Sequence, residues 1–128
     1  MFRKNLIIAV ALGALLIPSL AGAGAQWNQP ARVVKSASGG GYFYGAFGSV
    51  RNSSNVNEYI RCDSNSYGSA GCNARDAEGD TLYCTATSES VKVVIRDLNV
   101  SSYLFVRVSP SGICDYAYTQ NNSAYAPK

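Results

Sequence analysis

The chain has 128 residues, with 11 Lys and Arg, 8 Asp and Glu, four Cys, nine Tyr, one Trp and no His. This length suits a single domain, since domains usually have about 100–200 residues. The absence of His excludes catalysis by Ser-His-Asp or Cys-His groups and every His-based metal site.

Residues 1–25 have the pattern of an export signal that is removed by cleavage. Two basic residues precede an apolar run over 6–17, and the small residues at 23–25 match the pattern that signal peptidases recognise. The apolar run is shorter than the roughly 20 residues that a membrane-spanning helix needs. We therefore expect a mature protein that begins at Gln26, is secreted to the periplasm or the medium, and has no stable membrane anchor.

Basic residues are too few and too scattered for a nucleic-acid surface. Two of the eleven leave with the signal, so the mature chain has a formal charge near +1. Phosphate binding requires clustered Lys and Arg, and no cluster occurs. We expect no nucleic-acid partner.

All four cysteines follow the signal, at Cys62, Cys72, Cys84 and Cys114. Oxidising compartments pair even numbers of cysteines, and these spacings do not fit the C-x₂₋₄-C pattern of zinc sites. The sequence therefore predicts two disulfides and no metal. The favoured pairing is Cys62–Cys72 with Cys84–Cys114, and Cys72–Cys84 with Cys62–Cys114 stays open.

Residues 26–41 precede the predicted β domain. Three consecutive glycines at 39–41 place few constraints on the backbone, so we expect a flexible N-terminal segment or an edge strand. The disulfide-stapled β domain is expected to span residues 42–128. Trp27 is either a packing residue of this domain or an exposed contact residue.

From residue 42 onward, short β-type runs alternate with turn residues, as is typical of a mainly β domain. Four runs, at 42–50, 58–62, 69–76 and 81–87, precede two more that flank a turn at 109–113. The predicted fold is a small antiparallel sheet or sandwich of five or six strands, stapled by two disulfides.

The turn at 76–80 predicts the register of its hairpin. A three-residue loop that ends in Gly79 fits a type I turn followed by a left-handed residue. Such a turn would place apolar side chains opposite one another on a single face. The predicted pairs are Ala74–Leu82, Cys72–Cys84 and Ala70–Ala86.

The turn at 109–113 has the same chemistry, with Pro110 at the first turn position and Gly112 at the left-handed one. Arg107 and Asp115 are then expected on the face opposite the apolar one. The predicted pairs are Val108–Cys114, Val106–Tyr116 and Leu104–Tyr118.

Residues 89–98 interrupt the strand pattern. Ser88 or Ser90 could cap a helix there, and Glu89 suits its N-terminal end. The apolar residues at helical spacing are Val91, Val94, Ile95 and Leu98. We expect one short helix, and a strand is the alternative because several of these residues are β-branched.

Carboxylates are the remaining candidates for chemistry. Asp76, Glu78 and Asp80 lie within one turn, but their spacing departs from calcium-binding loops, so we expect a solvated polar turn. A carboxylate pair could serve a hydrolase, yet a domain of this size rarely has a cleft for one, and no nucleophile motif occurs. We expect no catalytic residue and no cofactor.

Nine tyrosines exceed what a core of this size needs. Tyr42 and Tyr44 share one face of the first predicted strand, and Phe43 and Phe47 share the other. If the Phe side chains point inward, the two Tyr side chains point outward. Tyrosine has an apolar ring and a polar tip, which suit protein interfaces and stacking on sugars.

The predicted function is that of a secreted, non-enzymatic binding protein that engages another exported protein through its Tyr-rich surface and loops, for example as a hydrolase inhibitor. The first alternative is an envelope or extracellular carbohydrate-binding module, with Tyr42, Tyr44 and Trp27 stacking on a glycan. The second is a small Asp/Glu-dependent hydrolase. All three compete with an ordinary structural role of tyrosine, which has a high strand propensity.

Overall fold

A computed structural model describes residues 27–125. The predicted export signal at 1–25 lies outside the described residues. The strands are β1 (Arg32–Lys35), β2 (Gly41–Ala46), β3 (Tyr59–Ser64), β4 (Ala70–Arg75), β5 (Thr81–Ala86), β6 (Ser102–Val108) and β7 (Cys114–Asn121). The helices are α1 (Phe47–Arg51), α2 (Glu89–Arg96) and a 3₁₀ turn at Ser123–Tyr125.

The strands form two antiparallel sheets, one with the order β1-β2-β6-β7 and one with the order β3-β4-β5. This arrangement confirms the predicted mainly β, antiparallel class, with one strand more than expected. The additional strand is β1, which lies within residues 26–41 and pairs with β2 at the edge of the sheet. Val33 and Ala31 are buried there, so the β domain begins before residue 42, and the edge-strand alternative describes residues 32–35.

The core lies between the two sheets. Phe43, Leu104 and Val106 fill it from the four-stranded sheet and are fully buried. The three-stranded sheet faces them with small side chains, such as Ala74 and Cys84. Because the facing layer is thin, it leaves limited apolar area to bury.

Both disulfides have the favoured pairing. Cys62–Cys72 joins β3 to β4 within one sheet, and Cys84–Cys114 joins β5 to β7 and thereby links the two sheets. Cys72 does lie opposite Cys84 in the register, but each of these residues is bonded to another partner. The alternative pairing is therefore wrong, and no cysteine is free.

Four hairpins close with the same five-residue turn, and two of these turns were predicted from the sequence. In each turn the fourth residue is a glycine with φ between 83° and 89°, a left-handed conformation that glycine adopts without strain. Its N–H donates to the carbonyl of the first turn residue at 2.9–3.1 Å. The turns are Ser36–Gly40, Asn65–Ser69, Asp76–Asp80 and Ser109–Ile113. The predicted register of the β4–β5 hairpin is confirmed throughout.

The register of the β6–β7 hairpin is confirmed for Val108–Cys114 and wrong beyond it. A β-bulge shifts the pairing between Arg107 and Val108, so that Asp115 is the extra residue. The shift places Tyr116 opposite Arg107 and moves the tyrosines of β7 to the outer face. It also avoids forcing large rings into the thin core, because the small residue Ala117 points inward instead.

Helix α2 confirms the predicted helix near 89–98. Ser88 is its N-cap, because its Oγ accepts a hydrogen bond from the N–H of Val91 at 3.3 Å. Val91 and Ile95 are buried against the core.

The first predicted strand is shorter than expected. It ends at Ala46, and the one-turn helix α1 occupies residues that were predicted to continue the strand to 50. The strand passes close to the other sheet at Gly45, where an added Cβ would lie 2.6 Å from Ile60 Cδ1.

Candidate functional site

The outer face of the four-stranded sheet carries a continuous cluster of aromatic side chains, which we call the aromatic face. Alternation along the strands produces it: Phe43 and Leu104 point into the core, so their neighbours in β2 and β6 point outward. The members of the aromatic face are Trp27, Tyr42, Tyr44, Tyr103, Phe105, Tyr116, Tyr118 and Tyr125.

Three rings at the centre of the aromatic face have similar orientations. The planes of Tyr42, Tyr44 and Phe105 differ by 15–25°, and their centroids are 5.5–6.3 Å apart. These are favourable distances for aromatic pairs. Each ring therefore restricts the motion of the other two, and the surface is ordered before any ligand arrives.

Trp27 joins the aromatic face through Tyr125. The two rings meet edge to face, with centroids 5.4 Å apart, and Tyr125 stacks on Tyr103 at 5.6 Å. Trp27 is 49% exposed, so it packs against the domain and remains open to solvent. The structure thus places all three predicted binding residues, Trp27, Tyr42 and Tyr44, on one surface.

Five further members were not identified from the sequence as binding residues, namely Tyr103, Phe105, Tyr116, Tyr118 and Tyr125. A signal for two of them was present: if Arg107 points outward, strand alternation places Phe105 and Tyr103 on the same face. Tyr116 and Tyr118 depend on the bulge in β7, which the sequence of the hairpin turn does not predict. Tyr125 joins the face through its contacts with Trp27 and Tyr103.

Arginine side chains border the aromatic face. The guanidinium of Arg107 lies 5.5 Å from the ring centroid of Tyr116 and binds Asp115 Oδ1 at 2.8 Å, so its charge is compensated. Arg32 lies opposite Tyr44 on the edge strand and is exposed. No ion pair is found for Arg32 among residues 27–125, and the β1 edge of the surface is therefore positive.

Tyr103 has a raised pKa. Burial raises its pKa above the ordinary value of 10.0, and the neighbouring Tyr44, Tyr125 and Tyr118 raise it further. The phenol therefore stays neutral at any ordinary pH, and its hydroxyl can donate or accept a hydrogen bond.

Two carboxylates are buried and bind backbone or hydroxyl groups. Asp76 Oδ1 accepts hydrogen bonds from the N–H groups of Glu78 and Asp80 at 3.1 and 2.9 Å. The prediction of a solvated turn is thus wrong for Asp76, because its carboxylate is buried and accepts hydrogen bonds within the turn. Glu58 accepts from Ala31 N–H at 2.7 Å through Oε1 and from the Ser53 hydroxyl at 2.9 Å through Oε2.

A cleft of about 510 Å³, which we call the α1 cleft, lies on the other side of helix α1 from Trp27. Its apolar part includes Phe47, Val50 and Ile60. No group of three or more His, Cys, Asp or Glu side chains within residues 27–125 is arranged to hold a metal.

No family model, curated protein or solved structure matches this chain. Its own fold and surface therefore define its class: a two-sheet antiparallel β domain with two disulfides and an aromatic outer face. The disulfides are compatible with an extracellular or secreted protein. Within the described part of the chain, no helix has the length and apolar character needed to span a membrane.

Proposed function

We propose that this protein is a secreted, non-enzymatic binding protein whose aromatic face engages another exported protein. The observation that carries the proposal is the gathering of eight aromatic side chains on one outer sheet face. Trp27, Tyr42, Tyr116 and Tyr118 are each 37–49% exposed there.

The composition of the aromatic face supports a protein partner. Tyr, Trp and Arg are enriched in protein interfaces and among the residues that contribute most to binding energy. An outer sheet face needs no aromatic cluster for folding, whereas a contiguous apolar patch on a soluble protein commonly marks an interaction site.

The order of the rings supports the same conclusion. Because Tyr42, Tyr44 and Phe105 already restrict one another, little side-chain entropy is lost when a partner covers them. The positive edge at Arg32 favours a partner with an acidic group beside its apolar contact surface. A hydrolase whose cleft has this character would be inhibited by such a contact.

Glycan binding is a second candidate, favoured by one observation. The near-parallel planes of Tyr42, Tyr44 and Phe105 resemble a platform on which the apolar faces of sugar rings could stack. This candidate uses the same surface, so the same variants test it.

The test compares capture by the immobilised wild-type protein with capture by a double variant, Tyr42→Ala with Tyr118→Ala. Both residues are partly exposed, so the variant should still fold. Tyr83→Ala is the matched control, because Tyr83 is exposed on the outer face of the other sheet. A partner captured from culture supernatant is then purified and its affinity measured. It should bind the double variant at least about 30-fold more weakly than the wild type, and it should bind the control as tightly as the wild type.

If the double variant captures the partner as well as the wild type does, this result contradicts a role of the aromatic face in protein binding. Sedimentation with peptidoglycan or insoluble polysaccharide, assayed with the same proteins, tests the second candidate. If the wild type sediments with the polysaccharide, the double variant does not, and no protein is captured, then the partner is a glycan and not a protein.

A further inference from the structure

A small pocket, which we call the Trp27 pocket, lies beside the first residues of the described chain. Its volume is about 180 Å³. Sites for drug-sized ligands have roughly 300–1,000 Å³, so this pocket has room for a single ring and not for a larger molecule. Trp27 and Tyr125 form its aromatic part, and Asn28, Ser49 and Asn52 contribute polar groups.

The backbone beside the pocket is fixed by hydrogen bonds. Trp27 N–H donates to the Ala124 carbonyl at 3.0 Å, and the Trp27 carbonyl accepts from the Ser49 hydroxyl at 3.1 Å. Ser49 Oγ also accepts from Gln29 N–H at 3.0 Å. Because Tyr125 holds one edge of the indole while the ring stays partly exposed, the ring is ordered and still accessible to a ligand.

Two carboxamides at the pocket have hydrogen-bonding capacity to offer. Within residues 27–125, the side-chain hydrogen bonds of the lining residues are those of Ser49. Asn28 and Asn52 are exposed, and their amides are therefore free to bind a ligand. A carboxamide presents donors and an acceptor side by side, which suits neighbouring hydroxyl groups because each hydroxyl both donates and accepts.

The lining of the pocket disfavours three other classes of ligand. No lining residue in the described part of the chain is charged, so an ionic ligand would lose water without gaining a counter-charge. A wholly apolar ligand would displace water from the carboxamides without replacing its hydrogen bonds. A peptide strand finds little free backbone here, because the N–H and carbonyl groups of Trp27 and Gln29 are already bonded.

We propose that the Trp27 pocket binds one neutral sugar ring, either a free sugar or the end unit of a neutral glycan. The indole stacks on the C–H face of the ring, and the carboxamides of Asn28 and Asn52 bind its hydroxyl groups. The pocket shares Trp27 and Tyr125 with the aromatic face but is not lined by Tyr42 or Tyr118. Sugar binding here therefore stands independently of the protein partner proposed above.

The fluorescence of Trp27 tests the proposal directly, because the chain contains one Trp. The purified protein, with its disulfides intact, is titrated with methyl glycosides of neutral hexoses and N-acetylhexosamines. At least one should change the fluorescence saturably, with a dissociation constant of about 1 mM. Sorbitol has the hydroxyl groups without the ring face, and glucuronate adds a charge, so neither should give a saturable change. Saturation-transfer NMR of the same samples measures binding that leaves the fluorescence unchanged.

Variants of the two amides test the site itself. Asn28→Ala and Asn52→Ala each remove one carboxamide and keep the indole, and each should weaken binding of the preferred glycoside about tenfold. Asn57→Ala is the matched control, because Asn57 is also exposed but does not line the pocket. The double variant Tyr42→Ala with Tyr118→Ala should bind the glycoside like the wild type, which separates this proposal from that of a protein partner.

An oligosaccharide that ends in the preferred sugar distinguishes the two sources of the ring. Tighter binding than that of the methyl glycoside supports a glycan end, and equal or weaker binding supports a free sugar. The proposal is overturned if no neutral glycoside binds in either measurement, if sorbitol reproduces the effect, or if either Asn variant binds as tightly as the wild type.

Discussion

At the scale of single residues, each hairpin turn is closed from its first position. Asp76 Oδ1 accepts from two backbone N–H groups, and Asn65 makes the same pair of bonds with an amide oxygen. The hydrogen bonds therefore require an oxygen acceptor in this position but do not require a negative charge.

We expect the free energy of unfolding of Asp76→Asn to lie within about 0.5 kcal/mol of the wild-type value, because the amide oxygen can accept both hydrogen bonds. Asp76→Ala leaves the two N–H groups without this acceptor in a part-buried turn and should cost about 1–3 kcal/mol. Urea unfolding measures both values. Equal losses in the two variants would show that the charge of Asp76, not its hydrogen bonds, stabilises the turn.

Tyr103 gives the folded protein a dependence on alkaline pH. Its pKa is raised above 10.0 by burial and by the neighbouring tyrosines, so the folded state keeps a proton that the unfolded chain has lost. This contribution to stability is complete below the unfolded pKa and is lost as the pH rises through the folded pKa. The free energy of unfolding should therefore decline above about pH 10.

Tyr103→Phe should show a smaller decline over the same range, because phenylalanine does not ionise. Denaturant unfolding at a series of alkaline pH values compares the two proteins, and phenolate absorbance follows the titration itself. Parallel declines in the two proteins would show that Tyr103 is not the cause of the effect.

At the scale of elements, the features predicted from the sequence are those with a local chemical cause. The turn at 76–80 has Asp76 at its first position and Gly79 at its left-handed one, and the resulting register of β4 and β5 is correct. Helix α2 was predicted from spacing and a cap that both lie within residues 88–98. Asn65–Ser69 has the same signature, so the third turn could have been found in the same way.

Features that depend on distant contacts were missed. The bulge at Asp115 follows from what the opposite sheet can accommodate, since that layer is built from small residues such as Ala74. The end of β2 lies just after Gly45, where the strand passes within reach of Ile60. Neither constraint is encoded in the neighbouring residues.

Only part of the aromatic face could be predicted from the sequence, because some of its members depend on distant contacts. Alternation along β2 identified Tyr42 and Tyr44, because Phe43 between them is inward. Tyr118 is added to the surface by the bulge, and Trp27 by its contact with a residue almost a hundred positions away, Tyr125.

At the scale of the whole molecule, one disulfide stabilises a hairpin and the other holds the two sheets together. Cys62–Cys72 connects neighbouring strands that backbone hydrogen bonds already pair. Cys84–Cys114 connects the two sheets, beside a backbone bond from Thr85 N–H to the Gly112 carbonyl at 2.9 Å. Because the intervening core is thin, the inter-sheet disulfide should limit how far the sheets separate.

Removing the inter-sheet disulfide with Cys84→Ala and Cys114→Ala should therefore cost more than removing the hairpin disulfide with Cys62→Ala and Cys72→Ala. Chain entropy alone gives about 3.6 and about 2.7 kcal/mol, and each variant also loses buried sulfur atoms. Guanidinium unfolding compares them. If the hairpin variant is instead the less stable one, the sheets are held together by their side chains, and the inter-sheet disulfide is secondary.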